Sequence, residues 1–259
     1  MFNRRGILLA ALCLLAAPVL AQADVKSTNL KLKSGDTEFR AVLTVPDGAG
    51  PFPAIVVIQE WWGLNDWIID NAKHFAELGY VTIAPDLYHG KLATDPATAS
   101  QLMKGLPQDR ALRDLKTCVD ELVNNPKVNK EKIGCVGWCM GGGFTLQAAL
   151  NDPRIVAGAI CYGRVVDNPD TLQPLKAAIL GVFGEKDQGI SVATVRKFEE
   201  AAKTAGKTVE KINIYPAGHG FMRPTNGPDK PNPVFDEASA KDAWKQLDTF
   251  FAKYLGGKS

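Results

Sequence analysis

The stretch that decides the fold is IGCVGWCMGGG, residues 133–143. A short apolar run leads into Gly137-Trp138-Cys139-Met140-Gly141, which has the spacing of a Gly-x-Ser-x-Gly nucleophile elbow with cysteine in place of serine. The flanking glycines remove the Cβ atoms that would collide where a strand turns sharply into a helix. We predict Cys139 at the turn, before a helix over residues 140–150 whose N-terminus favours a thiolate and an oxyanion. The alternative is a glycine-rich turn that holds a buried thiol.

The N-terminal segment, residues 1–23, has the pattern of a secretory signal peptide. Arg4 and Arg5 precede an apolar run over residues 7–20, and small residues close the segment. The run is shorter than the roughly 20 residues that a membrane span needs. We therefore predict cleavage before Asp24 and secretion to the periplasm, with a retained membrane anchor as the alternative.

Residues 24–259 are expected to form one domain after this cleavage. The whole chain has 30 Lys and Arg against 28 Asp and Glu, and loss of Arg4 and Arg5 removes the excess of positive charge. A neutral chain has no electrostatic attraction for nucleic acid or for an anionic membrane surface. We expect a monomer that binds a small molecule, with no nucleic-acid partner and no membrane association after cleavage.

Four cysteines follow the predicted cleavage site, at positions 118, 135, 139 and 161. An oxidising compartment would permit disulfides. Cys135 and Cys161 both lie in apolar, strand-like runs, where a free cysteine behaves as a small hydrophobic residue. Buried free thiols are favoured, and a Cys135–Cys161 bridge is the alternative.

The hydrophobic pattern alternates between strands and helices. Apolar and β-branched runs predict strands over residues 29–33, 39–45, 54–58, 81–84, 133–136, 155–160, 178–183 and 209–215. Helical periodicity covers residues 67–78, 108–123, 144–150, 192–205 and 235–254. The first two strands form a hairpin, and the rest predict an α/β fold with a mostly parallel central sheet and helices on both faces. Active sites of such sheets lie at the carboxyl ends of the strands.

A thiol nucleophile requires a base, and the base requires an orienting acid. Asp187 follows the strand predicted over residues 178–183, and His219 follows the strand predicted over residues 209–215. The chain order Cys139, Asp187, His219 is that of an α/β-hydrolase. We predict these three residues as a catalytic triad.

Other residues compete for two of these roles. Glu185 lies beside Asp187 in the same loop and is the alternative acid. His89 also follows a strand end but precedes the nucleophile, and His74 falls within an amphipathic helix. The chain has three histidines, and none has the spacing of a metal site, so no metal or organic cofactor is implied.

The motifs together resemble the dienelactone hydrolase family. They are the elbow, QEWWGLN at residues 59–65, APDLY at residues 84–88, and the loops of Asp187 and His219. The resemblance spans roughly residues 31–255. It implies an α/β-hydrolase fold and a carboxylic ester hydrolase, carboxymethylenebutenolidase-like, that opens an ester or lactone through an acyl-cysteine intermediate.

The resemblance also implies roles for further residues. Glu60 would help to activate the thiol when substrate arrives, and Arg223 would hold a substrate carboxylate. Backbone N–H groups of Trp61 and Met140 would form the oxyanion hole.

Trp62 and Tyr88 are candidates for an aromatic wall of the substrate pocket, with core packing as the alternative. The family's second substrate-binding arginine is not found in residues 95–105. Carboxylesterase or thioesterase activity on another acyl group therefore stays open, as does a non-catalytic protein that binds a small carboxylate.

Overall fold

The computed structural model describes residues 24–226 and 230–256. The predicted signal peptide lies outside the described residues.

The described residues form one eight-stranded sheet in the order β1-β2-β4-β3-β5-β6-β7-β8. β1 pairs antiparallel with β2, and β2 pairs antiparallel with β4, while every other neighbouring pair is parallel. The predicted hairpin and mostly parallel sheet are thus confirmed. The strands are β1 Val25–Ser34, β2 Thr37–Pro46, β3 Phe52–Ile58, β4 Val81–Pro85, β5 Val128–Trp138, β6 Ile155–Cys161, β7 Ala178–Gly184 and β8 Val209–Tyr215.

The helices connect the parallel strands. They are α1 Asp66–Glu77, α2 Pro96–Lys104, α3 Gln108–Asn124, α4 Met140–Asn151, α5 Pro169–Leu172, α6 Val192–Thr204 and α7 Glu237–Leu255. The sequence did not predict α2 or the single turn α5. In α2 only Ala99 is buried, so its sequence has no clear helical pattern of apolar residues. The helix begins after Asp95, whose side chain accepts a hydrogen bond from the Thr98 N–H.

Helices cover both faces of the sheet. Buried residues of α3, α4 and α6, such as Leu115, Leu146 and Phe198, pack in one cluster. Buried residues of α1 and α7, such as Phe75 and Phe251, pack in a second cluster on the other face. The strands between them are buried on both sides, which explains their continuous apolar sequences. Among the described residues, no helix combines the length and the apolar character that crossing a membrane requires.

Strands β3, β5, β6, β7 and β8 are consecutive neighbours in the sheet. They are parallel, so their carboxyl ends meet at one edge. The loops that leave these five ends carry Glu60, Cys139, Tyr162, Asp187 and His219, and Tyr88 follows β4. This fold is an α/β-hydrolase-like fold.

Candidate active site

Cys139 occupies a sharp turn between β5 and α4. Its backbone has φ 54° and ψ −116°, a left-handed value of φ that is rare for residues other than glycine and costs on the order of 1–3 kcal/mol. The chain folds back so closely that a Cβ on Gly137 would lie 2.3 Å from the Gly141 carbonyl oxygen, and one on Gly141 would lie 2.4 Å from that of Ile58. Both glycines are therefore required for the elbow.

Backbone hydrogen bonds hold the elbow against the next strand. The Cys139 N–H donates to the Cys161 carbonyl at 3.0 Å, and the Gly143 N–H donates to the Cys139 carbonyl at 3.3 Å. The Cys139 side chain is half-buried. It stands at the N-terminus of α4, whose first N–H groups have no partner within the helix. The turn thus presents the thiol at the open edge of the sheet beside free backbone donors.

His219 and Asp187 lie together although 32 residues separate them. The His219 Nδ1 and the Asp187 Oδ2 are 2.6 Å apart. The other Asp187 oxygen accepts hydrogen bonds from the Gly189 and Ile190 N–H groups at 2.8 and 2.9 Å. The Asp187 side chain is fully buried, whereas the competing Glu185 is exposed. The structure therefore places Asp187, not Glu185, against the histidine.

The protonated form of His219 is stabilised by its neighbours. Burial by itself lowers the pKa of His219, but hydrogen bonds with Asp187 and Cys139 outweigh this effect and raise it to about 10. Burial likewise raises the pKa of Asp187, and the hydrogen bonds from His219 and from the backbone bring it below its usual value. An anionic Asp187 thus favours an imidazolium next to Cys139.

Glu60, in the loop after β3, forms a buried ion pair with Arg223. The Arg223 Nε and the Glu60 Oε2 are 2.7 Å apart, and both side chains are at most 5% exposed. Burial raises the pKa of Glu60, while Arg223, His219 and Tyr162 act in the lowering direction. Glu60 is therefore within electrostatic reach of the histidine, in a carboxylate-guanidinium pair shielded from water.

The Arg223 guanidinium makes further contacts within the protein. Its terminal nitrogens donate to the Thr225 carbonyl and to the Asn226 side chain. Its guanidinium carbon lies 5.0 Å from the centre of the Trp62 ring, a cation-π distance. Arg223 is only 5% exposed, so in this conformation it faces Glu60 and its own loop.

Tyr88 and Trp62 are buried at 4% and 3% exposure. The Tyr88 hydroxyl donates to the Trp61 carbonyl at 3.1 Å and lies 3.4 Å from the Met140 sulfur. Tyr88 thereby contacts both Trp61 and Met140, the two residues expected to supply the oxyanion hole. Trp62 packs with Ala93 and Ala99 in a small separate cluster.

A cavity of about 570 Å³ opens over Cys139 and His219. Glu60, Trp62, Tyr88 and Arg223 do not border it, whereas Tyr162 and Arg164, for which the sequence predicted no role, do. Both follow the end of β6, so their position beside the elbow strand was the signal that could have found them. The cavity is lined by Met103, Lys104, Leu106, Gln108, Cys139, Met140, Gly143, Phe144, Gln147, Tyr162, Arg164, Val166, Ile190 and His219.

The other cysteines that the structure describes, and the other two histidines, do not line this cavity. Cys118, Cys135 and Cys161 are buried free thiols, so the alternative Cys135–Cys161 bridge is not formed. His89 pairs with Asp114 and His74 with Asp248. Within the part of the chain that the structure describes, no group of three or more His, Cys, Asp or Glu side chains is placed to hold a metal ion.

Comparison with known proteins gives consistent results. The sequence pattern of the dienelactone hydrolase family matches residues 39–255. A relative from Methylorubrum extorquens, named "Putative carboxymethylenebutenolidase", is 32% identical over 97% of this chain and 93% of its own length. The crystal structure of a "Putative Dienelactone Hydrolase" from Klebsiella pneumoniae superposes with a TM-score of 0.78 at 27% identity, covering 89% of this chain and all of that one.

A more distant structure, a dienelactone hydrolase-like promiscuous phosphotriesterase from metagenomic libraries, has a TM-score of 0.79 at 22% identity over 90% of this chain and 99% of its own. At that identity it supports the fold alone. The family pattern covers most of the sequence, and the resemblance seen in the motifs is confirmed. The chain belongs to the dienelactone hydrolase family, a family of hydrolases.

Proposed function

We propose that this protein opens an ester or lactone through an acyl-cysteine intermediate on Cys139. The observation that carries the proposal is the continuous chain of contacts from Cys139 to His219 to the buried Asp187. A strained elbow, a histidine and an orienting carboxylate are the parts that nucleophilic acyl transfer requires. Membership of a hydrolase family supports the same reaction class.

In acylation, the Cys139 thiolate attacks the carbonyl carbon and forms a C–S bond. The carbonyl electron pair moves to oxygen, and backbone N–H groups of Trp61 and Met140 hold this oxyanion. When the C–O bond breaks, the His219 imidazolium gives its proton to the leaving alkoxide. In a lactone the alkoxide stays attached to the acyl group, so the ring opens and the product remains on the cysteine.

In deacylation, His219 is neutral and accepts a proton from water. The hydroxyl adds to the acyl carbon, the C–S bond breaks, and the cysteine leaves as a thiolate beside the regenerated imidazolium. Asp187 keeps the ring nitrogen that faces Cys139 available in both steps, because it binds the other nitrogen at 2.6 Å. The carboxylic acid product then releases its proton to solvent.

Glu60 and Arg223 form the part of the site that responds to substrate. In the resting structure their ion pair is intact. A substrate carboxylate that reached Arg223 would compete with Glu60 for the guanidinium, and the freed carboxylate would be able to take the thiol proton. Loss of one member of a buried pair is costly, on the order of 3–5 kcal/mol, so Glu60→Gln is expected to reduce both stability and activity.

A carboxylesterase or thioesterase acting on another acyl group is the second candidate. The favouring observation is the cavity lining, whose apolar surface, including that of Leu106, Phe144 and Val166, exceeds its polar surface. An apolar wall suits an alkyl acyl group better than a small polar lactone. The same Cys139 chemistry serves both substrates.

We also propose that the protein works in the periplasm. The support is the sequence of residues 1–23 alone, with its two arginines, apolar run and small-residue end. Intact mass of the protein recovered from the periplasmic fraction should correspond to a chain that starts at Asp24. A full-length chain in the membrane fraction would contradict the proposal.

The decisive experiment is steady-state turnover of cis- and trans-dienelactone, p-nitrophenyl esters and acyl thioesters. Cys139→Ala should lose at least about a thousandfold in kcat/KM, as loss of a nucleophile does in other triads. Cys139→Ser should stay folded and lose most activity, because a hydroxyl is far less acidic than a thiol. Cys118→Ala, which removes a buried thiol away from the cavity, is the matched control and should keep wild-type rates.

Each result has a defined meaning. Turnover that depends on Cys139 supports the proposal, and the ranking of the three substrate types identifies the preferred acyl group. Wild-type rates in Cys139→Ala would show that hydrolysis does not use Cys139 and would contradict the acyl-cysteine mechanism. No turnover of any compound by the wild-type protein would favour the non-catalytic carboxylate-binding alternative.

A further inference from the structure

The charges that border the cavity are all positive. Arg164 and Lys104 line it, and the described residues of its lining include neither Asp nor Glu. The two cations come from separate parts of the fold, because Lys104 ends α2 and Arg164 follows β6. Both are exposed. The cavity therefore has a cationic rim, formed by the exposed side chains of two residues from different elements.

These two cations are not paired with other protein groups. No side-chain hydrogen bond or ion pair joins the cationic group of Arg164 or of Lys104 to another of the described residues. Many exposed cations elsewhere do have acidic partners, for example Arg113 with Asp109 and Arg196 with Glu199. A guanidinium without a partner is available to bind a carboxylate through two parallel hydrogen bonds.

The same cavity also has apolar residues in its lining. The lining includes Phe144, Leu106 and Met103. The Arg164 backbone packs beside Gly143, where an added Cβ would lie 3.6 Å from the Arg164 Cβ. Gly143 is one helical turn beyond Cys139, a rise of about 6 Å, and the Arg164 side chain is exposed. An anion on the rim is thus separated from the thiol by several carbon atoms.

We propose that Arg164 and Lys104 form an anion subsite at the mouth of the cavity. Resting on the proposed esterase function, this assigns the substrate class as esters whose acyl part has an apolar spacer and a distal carboxylate. Arg223 is held by Glu60, Thr225 and Asn226, so the resting structure offers the rim cations instead. The volume of about 570 Å³ lies within the range of pockets that enclose drug-sized ligands.

The subsite is tested by comparing kcat/KM between substrates that differ only in a distal carboxylate. Mono-p-nitrophenyl suberate and p-nitrophenyl octanoate have the same acyl length and differ in the distal carboxylate; monosuccinate and butyrate form a shorter pair. The wild-type protein should prefer the suberate by about tenfold in kcat/KM, as expected for two partly exposed charge-assisted contacts. The short pair should show little preference, because its carboxylate does not reach the rim. Added salt should weaken the preference.

Variants assign the preference to the two cations. Arg164→Gln combined with Lys104→Gln should reduce the suberate preference to about one. Arg113→Gln makes the same kind of charge change in a different groove and should keep the preference. An undiminished preference in the double variant, or a wild-type protein that treats suberate and octanoate alike, would overturn the subsite.

Binding separates this proposal from the proposed function. Monomethyl suberate is titrated calorimetrically into Cys139→Ala, and into Cys139→Ala that also carries the two glutamine substitutions. The dissociation constant should rise about tenfold in the second protein. Equal affinities would overturn the anion subsite even if esters are hydrolysed, whereas charge-dependent binding without any turnover by the wild-type protein would support the subsite and contradict the esterase.

Discussion

Two histidine–aspartate pairs lie near the carboxyl edge of the sheet, and they differ in what adjoins them. His219 meets Asp187 at 2.6 Å through Nδ1, and Cys139 is the other hydrogen-bonding neighbour of its ring. His89 meets Asp114 at 2.8 Å through the opposite nitrogen, Nε2. Both aspartates are fully buried. The pairs are thus alike in distance and burial, and unlike in ring orientation and in the presence of a nucleophile.

The His89 ring packs against Phe39 and borders a separate groove, and the described residues that line this groove include no cysteine. The ring stacks on Phe39, with ring centres 5.7 Å apart and planes inclined by 14°, and it is 18% exposed. The Asp114 Oδ1 has no hydrogen-bond partner among the described residues. This pair joins the loop after β4 to α3. A histidine–carboxylate contact therefore indicates catalysis only where the free ring nitrogen faces a reactive group.

The third pair, His74 with Asp248, joins α1 to α7 at 2.9 Å. Its side chains are 38% and 21% exposed. Each histidine of the chain thus pairs with an aspartate: one pair lies in the candidate active site, one is buried and one is at the surface. The expected consequences of breaking the three pairs fall in that order.

Replacement of the two strand-end histidines should give the largest difference in activity between the pairs. His219→Asn should lower kcat/KM by about a thousandfold or more, because the general acid and base is lost. His89→Asn should stay within about twofold of wild type in turnover, since no nucleophile adjoins it. Ester hydrolysis by purified, folded variants measures both. A comparable loss in His89→Asn would mean that His89 also takes part in the reaction, and would contradict the distinction between the two pairs.

Asp187→Asn should lower kcat by about a hundredfold and change its pH dependence. His219 acts as an acid below its pKa, which is raised to about 10, so activity in the wild-type protein should fall as the pH rises through that value. Without the carboxylate that stabilises the imidazolium, the pKa of His219 falls and this loss should begin at lower pH.

The pH profile of kcat/KM tests this shift, with Glu185→Gln as the matched control from the same loop. The control should keep the wild-type profile. An alkaline limb that stays in place in Asp187→Asn would mean that Asp187 does not set the protonation of His219.

The buried structural pair should matter to stability. Asp114→Ala leaves His89 without its partner and opens a fully buried site, so we expect a loss of about 1–3 kcal/mol in the free energy of unfolding. Urea denaturation followed by circular dichroism measures it, and turnover of the folded variant at low temperature should be unaffected. A stability equal to wild type would show that the pair is not structural.

The surface pair should have the smallest effect. His74→Asn breaks a partly exposed contact, and exposed pairs of this kind contribute about 0–1 kcal/mol. The same denaturation experiment should place this variant within about 0.5 kcal/mol of wild type. A larger loss would mean that burial against Phe75 and Trp244, whose rings contact His74, dominates over the charge pair.

The sequence predicted the strands and long helices well because the burial of each one is visible in its pattern of apolar residues. β3, β6 and β7 are continuous apolar runs, and such runs are typical of strands covered on both faces. The helix α2 was missed because only one of its residues is buried. Its signals were local, an Asp95 cap followed by Pro96.

The candidate site was predictable where a residue follows a strand end within a short motif. Cys139, Asp187 and His219 all do, and the structure brings them together. The ion pair between Glu60 and Arg223 was not predicted, because its members are far apart in sequence and meet only through the packing of two loops. Arg164 carries no motif, so its place on the cavity rim required the fold.

The most direct test of the account is rapid-quench mass spectrometry of the wild-type protein mixed with a p-nitrophenyl ester. The acyl-cysteine mechanism predicts a transient mass increase equal to one acyl group, on the peptide that contains Cys139, with p-nitrophenol released at the same rate. The Cys139→Ala protein should show neither the adduct nor the release. An adduct on another residue, or hydrolysis at the wild-type rate without Cys139, would contradict the acyl-cysteine mechanism.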